Sequence, residues 1–111
     1  MIYVYAITEA PAAVPDELDT LASGPLAAVV RTVAAAPAAT PEEMLAHESR
    51  VEAVMAAQPV LPVRFGTTFD DAAEIVSLLE RNETEFAQRL DEVRGCVELS
   101  VRMRWTPEPA S

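Results

Sequence analysis

The chain has no lysine, a single histidine, a single cysteine and only three glycines, and each shortage removes a class of explanation. One cysteine, Cys96, cannot form an internal disulfide, and its use suits a reducing compartment. One histidine and one cysteine do not make a recognisable set of the three or four converging ligands that a transition-metal site needs. Gly24, Gly66 and Gly95 stand alone at turn-like positions, so no phosphate-cradling loop is present. Positive charge is scarce: eight basic residues, all arginine, face 18 acidic ones, for a formal net charge of -10. That balance lacks the footprint of a nucleic-acid binder and the charge attraction to an anionic membrane. No apolar run approaches the ~20 residues of a membrane-spanning helix. The apolar opening Met1 to Thr8 is too short for a signal segment and has no basic stretch before it. These absences point to a soluble cytoplasmic protein.

With 111 residues the chain is expected to form one α+β domain over residues 1–105, with 106–111, rich in proline, as a flexible tail or truncated linker. Ile2 to Thr8 is β-branched and aromatic on both faces and reads as a central strand. Asp16 to Ala22 reads as a loop or a single helical turn. Ser23-Gly24-Pro25 is turn chemistry, and Leu26 to Val33 is a second strand, antiparallel to the first. Thr40-Pro41-Glu42-Glu43 opens a helix with a cap, a proline at its first position and a capping-box glutamate. This helix is expected to reach about Ala57, with Met44, Val51, Val54 and Met55 on its apolar face. Val60 to Phe65 reads as a third strand; Pro62 places it at an edge or gives it an irregularity. A second helix starts near Asp70 or Asp71, with Asn82 marking a kink and Gly95 ending it. Val97, Leu99, Val101, Met103 and Trp105 alternate with polar residues and predict a final strand. The expected fold is a four-stranded, mostly antiparallel sheet with two main amphipathic helices on one face, a ferredoxin-like variant ordered β-β-α-β-α-β.

Candidate chemistry is thin. His47 shares the apolar helix face with Val51 and neighbours Glu48, so it is either a general base or, more simply, a boundary histidine hydrogen-bonded to backbone or carboxylate. Arg64 interrupts the apolar run Pro59-Val60-Leu61-Pro62-Val63-Arg64-Phe65-Gly66-Thr67. If partly buried it requires a carboxylate, for which Glu48 is the candidate. The residues alone support a binding domain, with a cofactor-free enzyme using His47, or a regulatory module that dimerises through its sheet to hold a small ligand, as the alternatives.

One pattern is more specific. His47-Glu48 followed by Pro59-Val60-Leu61-Pro62-Val63-Arg64-Phe65-Gly66-Thr67 resembles the gas vesicle protein family GvpL/GvpF. Tyr3-Val4-Tyr5-Ala6-Ile7 is similar to that family's opening, and Leu26-Ala27-Ala28-Val29-Val30 to its second strand. Arg94-Gly95-Cys96-Val97-Glu98-Leu99-Ser100-Val101 resembles its Gly-x-x-Glu-x-x-Val start of a strand. The resemblance implies a non-enzymatic accessory or minor structural role in gas vesicles, without cofactor or metal. The implied partners are the small hydrophobic shell protein and other accessory proteins, and self-association through a sheet edge stays open. It also implies that His47, Glu48, Leu61, Pro62, Arg64, Phe65, Gly66 and Thr67 are partner-binding or structural signature residues. Family members usually carry a second, helical domain, so the chain corresponds to their N-terminal one, either excised or as a natural short form.

Overall fold

The computed structural model describes the backbone of residues 1–105 and the side chains through residue 94. Strand β1 (Ile2–Glu9) lies at the centre of an antiparallel sheet. It pairs on one side with β3 (Leu26–Thr32), which pairs in turn with β2 (Asp19–Ser23). The other side of β1 is shared by β4 (Val60–Pro62), opposite Ala6 to Thr8, and the two-residue β5 (Thr68–Phe69), opposite Ile2 and Tyr3. The expected antiparallel pairing of the first two apolar strands is therefore present. Strand β2 lies where the residue types predict a loop or helical turn. It is a polar edge strand, and only a hairpin signal betrayed it. Ser23 pairs with Leu26 across Gly24-Pro25, and Gly24 has φ +59. A glycine with positive φ followed by proline is the arrangement of a type II′ two-residue hairpin.

A β-bulge shifts the β1–β3 register between Val4 and Ala6. Tyr3, Tyr5 and Ala6 consequently share one face with Val29, while Val4 and Ile7 share the other with Ala28 and Val30. Both faces are covered. Helix α1 (Pro41–Met55) lays Val51 and Val54 on the first, and α2 (Ala72–Arg81) and α3 (Glu83–Trp105) lay Ile75, Leu79 and Leu90 on the second. The expectation of both helices on one face is thus corrected. A strand that is apolar on both sides leaves one of them wet unless helices flank the sheet on both. The Thr40 cap forms, its Oγ1 accepting from Glu43 N–H at 3.2 Å, but the capping box does not close, because Thr40 N–H donates to Ala38 O instead; Asp71 Oδ1 caps α2 by accepting from Glu74 N–H at 3.0 Å. Asn82 caps α2 by donating its side-chain amide to Leu78 O at 2.9 Å, which breaks the long helix in two at the expected kink.

The final strand is also corrected. Residues 97–105 continue α3, and Gly95 does not end it. Val97, Val101 and Trp105 recur at four, as do Leu99 and Met103, so a helical series runs beside the alternating one. An interior glycine costs a helix only ~1 kcal/mol. The element order is accordingly β-β-β-α-β-β-α-α. The expected tail, 106–111, lies outside the described residues. Among the described residues no helix is long and apolar enough to cross a membrane.

Candidate functional site

The segment from Pro59 to Phe69 is fastened along nearly the whole length of β1. Thr8, fully buried, donates its hydroxyl to Pro59 O at 2.8 Å. Val63 N–H donates to Tyr5 O at 2.9 Å, and Val4 N–H to Thr67 O at 3.0 Å. Between these anchors the chain turns. Gly66 has φ +86, and Thr67 directs both its N–H and its hydroxyl to Arg64 O, at 3.3 and 2.8 Å. Positive φ at the third of four residues is the requirement of a type II turn, and glycine meets it without a Cβ penalty.

His47 and Tyr3 lock this turn to the body of the domain. Both are nearly inaccessible, at 7% and 1% exposure. The Val63 carbonyl, 2.8 Å from His47 Nε2, can only accept, so Nε2 carries the ring proton. Nδ1 therefore accepts from the Tyr3 hydroxyl at 2.7 Å, and the same hydroxyl accepts from Gly66 N–H at 3.1 Å. The result is a relay from loop to strand to helix and back to loop. Phe65 closes over it, with ring centroids 5.7 Å from His47 and 6.3 Å from Tyr3, while Tyr5 stacks on His47 at 5.3 Å. Burial holds the Tyr3 phenol above its ordinary pKa of 10.0, and the Gly66 N–H only partly offsets this.

The Tyr5 hydroxyl serves the rim of the cluster. It accepts from Arg31 Nε at 3.1 Å and Arg50 Nη1 at 3.4 Å, and Arg50 also pairs with Glu17 at 3.2 Å. The space enclosed by Tyr3, Tyr5, Arg31, Glu43, His47 and Phe65 does not admit a water molecule. Both ring nitrogens of His47 are engaged, so neither is free to take a proton from a substrate in this arrangement. Among the described residues no group of three or more His, Cys, Asp or Glu is placed to hold a metal ion.

The eight singled-out residues thus separate by position. His47, Phe65, Gly66 and Thr67 belong to the lock. Leu61, together with the neighbouring Val63, which is not one of the eight, packs against the α2/α3 face, where with Val4, Phe69 and Phe86 they border a groove of about 320 Å³. Glu48, Pro62 and Arg64 are exposed. Arg64 is not partly buried, and among the described residues it forms no ion pair with Glu48, so that expected pairing is corrected. The turn lifts the guanidinium into water, where a carboxylate partner is not required. Tyr3, Tyr5, Arg31 and Arg50 were not singled out as site residues. The signal was there, since two tyrosines spaced by two on a fully buried strand need partners for their hydroxyls.

The whole chain, residues 1–111, matches the family model described as gas vesicle synthesis protein GvpL/GvpF. The chain belongs to that family. No curated protein and no solved structure matches it. GvpL/GvpF membership relates the chain to gas vesicles, and the motif that first suggested the family is the strap that the His47–Tyr3 relay holds against β1.

Proposed function

We propose that this chain is a non-catalytic accessory or minor structural protein of gas vesicles. In this reading it works in the cytoplasm and at the vesicle, and it binds the hydrophobic shell protein and other accessory proteins during assembly. Residues 1–105 act as the binding unit and 106–111 as a tail or linker. The observation that carries the reading is the GvpL/GvpF match across residues 1–111. The geometry supports it. The side chains of His47 and Thr67 are spent on holding the domain together, and a base role for His47 would require giving up its bonds to Tyr3 and Val63. What remains for a partner is the exterior, with Glu48, Pro62 and Arg64 presented outward beside the strap. Addition of a partner strand at β4 is the less favoured mode. Val63 donates inward to Tyr5, which puts Pro62 at the outward alternate position, where it offers no N–H. The test is co-purification with the gas vesicle shell protein against an unrelated hydrophobic protein of similar size. Selective capture is expected, and equal or absent capture contradicts the reading.

A further inference from the structure

Helix α1 buries only His47, Val51 and Val54. Its outer side carries Met44, Leu45 and Met55 at 47%, 67% and 39% exposure, three of the four large hydrophobics left exposed among the described side chains. Between those apolar ends stand Glu48 and Glu52, one turn apart. Together with Val51, Met55 and Pro62 they border a groove of about 430 Å³ between α1 and β4, floored by His47. Among the described residues neither Glu48 nor Glu52 forms an ion pair. Arg50, the one arginine of α1, is turned away, with Nη1 on Tyr5 and Nε on Glu17. An apolar trough with an uncompensated acidic centre, in a chain of net charge -10, is complementary to a basic amphipathic surface.

We propose that the α1–β4 groove docks a basic amphipathic helix of a partner protein, with two Lys or Arg four residues apart meeting Glu48 and Glu52 and apolar residues on either side meeting Met44/Leu45 and Met55. This rests on the partner-binding reading above and adds the surface and the partner's chemistry. Met55 lies eleven positions after Met44, so the contact spans roughly 16 Å at 1.5 Å per residue, about three turns of each helix. A second copy of this chain is disfavoured as occupant because it would bring the same carboxylates against these.

The experiment uses three fluorescent helical peptides of identical apolar pattern, carrying Lys, Gln or Glu at the two central positions. Binding to the full chain is read by anisotropy at low and high salt. The Lys peptide is expected to bind tightest and to weaken with salt. The double variant Glu48→Lys/Glu52→Lys should weaken it by about tenfold or more and invert the preference toward the Glu peptide. Met55→Ala, which keeps the carboxylates, should weaken all three peptides alike. Equal binding of the three peptides, or no inversion in the double variant, overturns the proposal. So does dimerisation of the unliganded chain that depends on Glu48 and Glu52. Running the shell-protein co-purification on the same variants separates the two levels. Capture that survives the charge reversal leaves the assembly role standing and removes the groove, whereas loss of capture by the wild-type chain removes the role itself.

Discussion

Replacing Tyr3 with phenylalanine removes one oxygen and, with it, the two bonds that link Gly66 through strand β1 to His47, while the direct His47–Val63 bond is left in place. The ring stays and the packing against Tyr5, His47 and Phe65 is kept, so the change isolates the hydroxyl. Two groups lose their partner. His47 Nδ1 sits in a side chain only 7% exposed and cannot regain water, at a cost of about 1–3 kcal/mol for an unsatisfied buried polar atom. Gly66 N–H lies at an exposed turn and can be rehydrated, adding less than about 1 kcal/mol. The sum is about 1–4 kcal/mol, or a Tm lower by roughly 5–25 °C for a domain of this size. Tyr5→Phe is the control. Its hydroxyl accepts from Arg31 and Arg50, both half-exposed, which can turn to solvent, so the loss should stay below about 1 kcal/mol. Urea unfolding of the two variants and the wild-type chain decides it. A Tyr3→Phe variant within about 0.5 kcal/mol of wild type, or no worse than Tyr5→Phe, would falsify the idea that this relay holds the strap.

Other perturbations bear on the same structure. Gly66→Ala meets no atom within 4 Å of the added Cβ, yet the residue sits at φ +86, so thermal unfolding should show a loss of about 1–2 kcal/mol from backbone strain alone. Thr40→Ala removes the cap bond to Glu43 N–H and should cost about 1 kcal/mol in the same measurement. The raised Tyr3 pKa fixes the sign of an alkaline effect. The neutral phenol's contribution is complete below the ordinary tyrosine pKa and is lost as pH rises through the folded-state value. Stability should therefore fall as pH rises above the ordinary tyrosine value of 10.0 in the wild-type chain and fall less in Tyr3→Phe. Arg64→Ala, at an exposed position without an ion pair among the described residues, should change stability by less than about 0.5 kcal/mol while weakening capture of the shell protein; unchanged capture removes Arg64 from the binding surface.

The parts of the fold that were legible are those where local chemistry and burial agree. Thr40-Pro41-Glu42-Glu43 announces α1, Asp71 announces α2, and Asn82 marks the break between α2 and α3, because capping is decided within a turn of chain. The unbroken apolar character of Ile2 to Ile7 contained more than was drawn from it. Such a strand is buried on both sides, and that alone places helices on both faces. Residues 97–105 carry period-two and i, i+4 series at once, so local pattern could not arbitrate. Strand β2 escaped because the alternate positions it half-buries are Leu21 and Ser23, one apolar and one polar, so its residue types show no apolar alternation. The site was half legible. His47 and the Leu61 to Thr67 run could be picked out, but the ligands of His47 are a tyrosine 44 positions earlier and a carbonyl 16 later. Only the folded sheet brings those together. The pairing of Arg64 with Glu48 failed for the converse reason: it assumed a burial that the turn at Gly66 avoids.

In the proposed role the binding work falls on the outer side of α1 and the adjoining strap, with the interior locked. Hydrogen exchange of the chain alone and in complex with the gas vesicle shell protein tests this most directly. The prediction is slower exchange on binding across residues 41–55 and 60–67, with Asp19–Ser23 and Ala72–Arg81 unaffected. Protection concentrated in those last two elements, with α1 unchanged, would contradict it.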